Sequence, residues 1–83
     1  MATDVTDTLT VPDLGETVLG ATLTRWLVAP GDLAAEGDPV AEVEAEKVNV
    51  EVPAPFALRI LAFLAAEGDQ VAVGQPIARV SPA

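Results

Sequence analysis

The sequence predicts an all-β domain, a sandwich or barrel built on an internal quasi-twofold repeat. Three observations predict it. Short apolar runs alternate with turn signals at close, regular spacing. Two stretches of the chain resemble each other. A third segment, residues 41–52, pairs with itself in strict period-two register.

The apolar runs include Val11, Val18, Leu23 and the Leu27-Val28 region, then 40–45, 48–52, 58–64 and 77–80. Turn signals separate them: "PDLG" at 12–15, "PGD" at 30–32, "EGDP" at 36–39, "VPAP" at 52–55, "EGD" at 67–69 and "VGQP" at 73–76. "LAAEG" at 33–37 and "FLAAEG" at 63–68 have helical propensity but are too short to stand as helices in water. They read as a turn and a strand end.

The repeat aligns 26–43 with 63–80 at an offset of 37, without gaps. Leu27 matches Leu64, Gly31-Asp32 matches Gly68-Asp69, and Gly37 matches Gly74. Pro39, Ala41 and Val43 match Pro76, Ala78 and Val80. Trp26 falls on Phe63 and reads most simply as a core residue, as does its mate. Stacked arrays need at least three repeats, so two copies in so short a chain predict halves that complete one core.

The third segment is a hairpin. Folding 41–52 about a two-residue Glu46-Lys47 loop sets Ala45 opposite Val48, Val43 opposite Val50 and Ala41 opposite Val52. Glu44 then faces Asn49, and Glu42 faces Glu51. A one-residue slip would turn the apolar side chains to the wrong face. Two local rules are broken. Glu-Lys is poor chemistry for a two-residue hairpin loop, and two glutamates oppose each other across the ladder. Such violations mark functional sites.

The chain has 83 residues, four Lys and Arg, thirteen Asp and Glu, and a formal charge of −9. That suits one small domain, 1–83, with its core at about 8–81. "SPA" at 81–83 reads as the opening of a Pro/Ala linker, with 82–83 outside the core. The acidic balance opposes nucleic-acid binding. No apolar run approaches the ~20 residues of a membrane span. Cysteine, histidine and tyrosine are absent, which removes disulfides, thiolate metal sites and the commonest general base. No catalytic residue and no metal site are expected. "MATDVTDTLT" has no basic n-region and no arginine, so it is read as neither signal nor transit peptide. With Met1 as the native start, a bacterial cytoplasm is expected; otherwise the mitochondrial matrix stays open.

Lys47 is the chain's single lysine. At a hairpin tip among glutamates it has neither the burial nor the cationic neighbours of a catalytic amine. Carboxylates alternating along a strand do not form the compact loop cage of a calcium site. Two readings stand on pattern alone. A solvated lysine on a charge-rich edge is the commoner case. The other is an attachment point, since a modifying enzyme needs an accessible amine in a fixed geometry.

Three segments, "VPDLGETVLGATLTRWLVAPGD", "EVEAEKVNVEVPAP" and "AAEGDQVAVGQPIARV", together resemble the lipoyl domain of 2-oxo acid dehydrogenase acyltransferases over roughly 10–81. The resemblance implies a flattened barrel of two four-stranded antiparallel sheets with quasi-twofold symmetry. It implies lipoic acid in amide linkage on Lys47, and a carrier with no catalysis of its own. Implied partners are a thiamin-dependent 2-oxo acid decarboxylase, an acyltransferase core with coenzyme A, a flavin-dependent dihydrolipoyl dehydrogenase and a lipoate-attaching enzyme. Recognition would involve Glu44, Ala45, Glu46 and Val48 beside the lysine. It would also involve the loop Asp13, Leu14, Gly15, Glu16, Thr17 and Val18, whose plain reading is an ordinary turn. "GATLTRW" and "EKVNVEVPA" look most like 2-oxoglutarate dehydrogenase succinyltransferases, which belong to the tricarboxylic acid cycle. A biotinyl carrier domain shares the fold, but its tip typically reads Ala-Met-Lys-Met. An unmodified β-barrel binding module is the other alternative. Two departures from the family pattern are Ala21 and Leu58, repeat mates at positions where it usually has glycine. Gly20 is expected to serve the first turn instead, and the 54–59 loop to differ in conformation.

Overall fold

The computed structural model describes residues 7–15 and 18–83. Eight strands form: β1 (Asp7–Thr10), β2 (Gly20–Trp26), β3 (Leu33–Ala34), β4 (Pro39–Ala45), β5 (Val48–Pro53), β6 (Leu58–Phe63), β7 (Gln70–Ala72) and β8 (Pro76–Pro82). They make two four-stranded sheets, ordered β1-β8-β6-β3 and β5-β4-β2-β7, with every pairing antiparallel. This is the expected two-sheet architecture.

The halves match bond for bond. Gly31 N donates to Ile60 O at 2.8 Å and Gly68 N to Leu23 O at 2.6 Å. Ile60 N and Leu23 N return bonds to Asp32 O and Asp69 O, both at 2.9 Å. The two Gly-Asp turns share one cause. Gly31 and Gly68 have φ of 95° and 94°, a region costly for any side chain. Each aspartate then closes its turn through Oδ2, which accepts Ala29 N at 2.8 Å or Ala66 N at 2.9 Å. Even the register breaks are mates: β2 shifts between Leu23 and Arg25, and β6 between Ile60 and Ala62.

The core lies between the sheets and repeats the symmetry. Val40 and Ile77, Val43 and Val80, and Leu23 and Ile60 are mates, and all are fully buried. Val11 is buried but follows β1 rather than belonging to it, and Val18 lies in a loop. Trp26 and Phe63 are half-buried and stack on each other instead of entering the core. No polar or charged side chain is buried among the described residues.

At both glycine departures the chain is ordinary strand. Leu58 is the first residue of β6, fully buried, paired with Ala34 and Pro82. Ala21 is buried within β2. Neither has the positive φ that would call for glycine. Gly20 is not a turn residue: it opens β2, and a Cβ there would meet Val71 O at 3.0 Å. Its small size serves a close strand approach. At the end of the chain, β8 runs through Pro82, and Ala83 N donates to Ala57 O at 2.9 Å.

The stacked rings place the ends of the molecule. Trp26 and Phe63 close β2 and β6, so the starts of those strands, Gly20 and Leu58, point away from each other. A seven-residue and a six-residue strand end to end span roughly 43 Å, matching the 43 Å long axis. The β4–β5 tip lies beside Gly20, and the C-terminus beside Ala57. Lys47 and Ala83 are therefore at opposite ends.

Candidate functional site

The β4–β5 hairpin has the register expected from its sequence. Ala45 pairs with Val48, Glu44 with Asn49, Val43 with Val50, Glu42 with Glu51 and Ala41 with Val52. The loop is Glu46-Lys47, with φ of 49° and 69°. These are the only non-glycine residues with positive φ among those described. Two consecutive left-handed residues make the loop geometry that matches strand twist, and it normally recruits Asn-Gly. Here Glu and Lys accept that geometry at an energetic cost. Within the hairpin β4 and β5 are paired from Pro39 and Pro53 to Ala45 and Val48, and β4 pairs with β2 along its other edge, so the strained loop stands on a three-strand base.

Lys47 is exposed, as are Glu44, Glu46 and Val48, while Ala45 is buried. Val48 is 58% exposed although it shares the apolar face of Val50 and Val52. The reason is position: Val48 begins the edge strand of its sheet, while its partner Ala45, on the inner strand β4, is buried. Among the described residues, no group of three acidic side chains is placed to hold a metal ion. No helix of the described residues is long and apolar enough to cross a membrane.

The loop before β2 reaches the same end. Asp13 Oδ1 accepts Gly15 N at 3.0 Å, and Val18 N donates to Gly15 O at 3.1 Å. Leu14 and Val18 are half-buried against the core, so they anchor the loop, while Asp13 is exposed. Glu16 and Thr17 lie outside the described residues. Internal symmetry identifies this loop as the odd one. Val11 bonds Gly74 and Gln75 as Ala54 bonds Gly37 and Asp38. Yet Val11 is twelve positions before Leu23, and Ala54 only six before Ile60. Six extra residues have been spent at the lysine end.

That end holds two residues with no signal in the sequence. Leu19 is 78% exposed and Val73 36%, and Val73 N donates to Leu19 O at 2.9 Å. Their exposure depends on where the sheet stops, which periodicity does not encode.

The family model described as "Biotin-requiring enzyme", of the biotin/lipoyl type, matches residues 7–80. The lipoamide acyltransferase component of the branched-chain alpha-keto acid dehydrogenase complex of Bacillus subtilis is 43% identical over 72 residues, 87% of this chain and 17% of that protein. The dihydrolipoyllysine-residue acetyltransferase component of the pyruvate dehydrogenase complex of Corynebacterium glutamicum is 43% identical over 82 residues, 99% of this chain and 12% of that one. A succinyltransferase component of the 2-oxoglutarate dehydrogenase complex of Staphylococcus saprophyticus is 44% identical over 70 residues, 84% of this chain and 16% of its own length. The chain thus spans less than a fifth of these relatives. The solution structure of the lipoyl domain of the Azotobacter vinelandii 2-oxoglutarate dehydrogenase complex superposes with a TM-score of 0.69 at 24% identity, covering 89% of this chain and 94% of that domain. A multi-domain long-chain acyl-CoA carboxylase superposes at 0.80 and 24% identity, covering 94% of this chain and 7% of that one. Both share the fold. With the family model matched across nearly all of its length, the chain belongs to the biotin/lipoyl attachment family.

Proposed function

We propose that the chain is a lipoyl carrier domain and that Lys47 is its attachment site. One observation carries this reading: the single lysine of the chain stands exposed in a strained two-residue loop, at the end of the molecule opposite Ala83. A surface lysine with no role needs no left-handed backbone. The residues fit the group, since an amide to an exposed, rigidly based amine needs no pocket. Bound there, lipoic acid would supply a disulfide that takes up electrons and an acyl group. The chain's own part is to present the Lys47 side chain beyond the last row of core residues and to carry the surfaces that partners read.

Lipoate is favoured over biotin by the Ala45-Glu46-Lys47-Val48 tip and by relatives named as acyltransferase components of 2-oxo acid dehydrogenase complexes. In such a complex the domain is a carrier rather than an enzyme. It serves a thiamin-dependent decarboxylase, an acyltransferase core with coenzyme A and a flavin-dependent dihydrolipoyl dehydrogenase, after loading by a lipoate-attaching enzyme. Glu44, Glu46 and Val48 at the tip, with Asp13 and the extended 12–19 loop beside it, are the surface offered to the decarboxylase. Ala45, buried, sets their spacing. An acidic tip steers toward a basic rim, an effect salt weakens. The succinyl class rests on "GATLTRW" and "EKVNVEVPA" alone, because relatives of three acyl classes match at 43–44% identity. The relatives are bacterial, which suits a cytoplasmic complex.

Intact mass after coexpression with a lipoate-attaching enzyme tests the reading. The expected result is a lipoyl-sized gain that disappears in Lys47→Ala. No gain on a folded chain overturns it, and a biotin-sized gain selects the biotinyl alternative. Reductive acylation with each candidate decarboxylase then assigns the acyl class.

A further inference from the structure

Leu19 and the Glu46-Lys47 loop stand at the same end of one sheet. β2 and β4 pair Thr22 with Glu44. Continuing that antiparallel register sets Ala21 beside Ala45 and Gly20 beside Glu46; Lys47 then turns back toward β5, where Val48 pairs with Ala45, so Leu19 adjoins the Glu46 side of the loop. Adjacent strands are about 4.8 Å apart, so Leu19, just before β2, is about one spacing from Glu46 and about two from Lys47, which leads into β5. Val73 lies one spacing further, where β7 pairs Ala72 with Gly20 and Val73 N holds Leu19 O at 2.9 Å. The backbone bond fixes Leu19 in place although its side chain is 78% exposed.

This apolar pair is specific to the lysine end. The repeat puts Phe56 and Glu36 in the corresponding places at the other end. There Phe56 is packed against the core, and Glu36 is polar and exposed. At the lysine end both residues are apolar and turned to water. Isolated exposed apolar residues are ordinary, but these two adjoin each other within two to three strand spacings of the attachment site proposed above.

We propose that Leu19 and Val73 form an apolar rest for the aliphatic part of the acyl group carried on Lys47. The inference rests on the lipoyl-carrier reading above. The occupant follows from tethering: a group linked to Lys47 is present at high effective concentration over any surface within its reach. The lysine stem and a medium-length acyl chain in series exceed the two or three strand spacings involved. Methylenes laid on Leu19 and Val73 leave water, and nothing in the contact needs a polar partner. The rest lies on the β7 side of the tip, away from Asn49 and Glu51, so the glutamate face of β4 and β5 stays free for a partner.

The test uses the whole chain with methyl-labelled Leu and Val, unloaded, octanoylated and lipoylated, each state first confirmed by intact mass. Failure to load overturns the carrier reading, and it shows in the mass before any contact is measured. In loaded protein, nuclear Overhauser contacts are expected from acyl methylenes to the Leu19 and Val73 methyls, with octanoyl and lipoyl alike. Leu33, 61% exposed on the other sheet, should not shift. Leu19→Ser should abolish the contacts and speed acyl-chain motion while leaving the amide spectrum of β4 and β5 unchanged. Loaded protein showing no contact to either methyl, or contacts to Val48 alone, overturns the proposal. So does acyl-chain relaxation equal in wild type and Leu19→Ser.

Discussion

The rings of Trp26 and Phe63 stack with centroids 4.1 Å apart and planes 7° from parallel, and the two residues are repeat mates. A local symmetry axis passes between them. Trp26 Nε1 also donates to Ala65 O at 3.0 Å, and Glu67 Oε2 accepts Trp26 N at 2.9 Å. The stack therefore joins the ends of β2 and β6, one from each sheet. Phe63→Ala removes one ring and uncovers the other. Because both are half-buried, the expected loss is about 2–3 kcal/mol, below the usual cost for a fully buried aromatic. A double-mutant cycle with Trp26→Leu should show coupling of about 0.5–1.5 kcal/mol. Urea unfolding measures both. Strictly additive losses would mean that the rings touch without interacting.

The turn residues make a prediction of opposite sign. Glu46 sits at φ 49°, a conformation costing a non-glycine residue roughly 1–2 kcal/mol. Glycine has no such cost but loses more chain entropy on folding. Glu46→Gly is expected to stabilise the unloaded domain by about 0.5–1 kcal/mol, a rise of several degrees in melting temperature for a domain of this size. The strain then belongs to function, and loading of Lys47 in this variant should slow. A thermal melt beside a timed loading assay reads both, and a variant that melts lower than wild type refutes the account.

Much of this structure is legible in the residues, and the exceptions have physical reasons. The hairpin pairs 41/52 to 45/48 follow from strict alternation, because a slip inverts the faces. The repeat follows from paired Gly-Asp turns, and its mates are bonded equivalently. β3 and β7 are not legible as strands: two or three residues carry no periodicity, and they are placed by the turns before them. Leu58 departs from expectation because the family pattern suggests a glycine-dependent loop, whereas the chain there is an ordinary strand entering the core. Val48 follows the alternation in its pairing with Ala45, but alternation says which face a residue takes and not how far neighbouring elements cover it. Leu19 and Val73 are hidden for the same reason.

Glu42 and Glu51 are direct partners across β4 and β5. Like charges in that relation are destabilising, by a few tenths to about 1 kcal/mol. Glu51→Gln should raise stability by an amount in that range and keep Lys47 the only lysine. The gain should shrink as salt rises, because exposed charges are screened. Melting curves at low and high ionic strength test this. A gain that is independent of salt would assign the effect to something other than repulsion. If the glutamate face is also what a decarboxylase reads, the same variant should be a poorer substrate for reductive acylation at low salt, and the difference should close at high salt.

Leu58 and Gly20 make the sharpest contrast with the family pattern. A glycine at 58 would restore the residue usual there, and resemblance alone would expect tolerance. The packing expects the reverse. Leu58 is fully buried, next to Ala34 and Pro82 in the sheet, and its φ makes no demand for glycine. Leu58→Gly removes a buried side chain, leaves a cavity and loosens a strand, for an expected loss of roughly 3–5 kcal/mol. In a domain this small that consumes most of the stability. At Gly20 the demand for smallness is real. A Cβ would sit 3.0 Å from Val71 O, so Gly20→Ala must push β2 and β7 apart by a few tenths of an ångström. The expected cost is about 1 kcal/mol, with the amide resonances of 70–73 displaced and those of 58–60 unmoved. Urea unfolding of both variants ranks them. If Leu58→Gly proved the milder change, the burial assigned to Leu58 would be wrong.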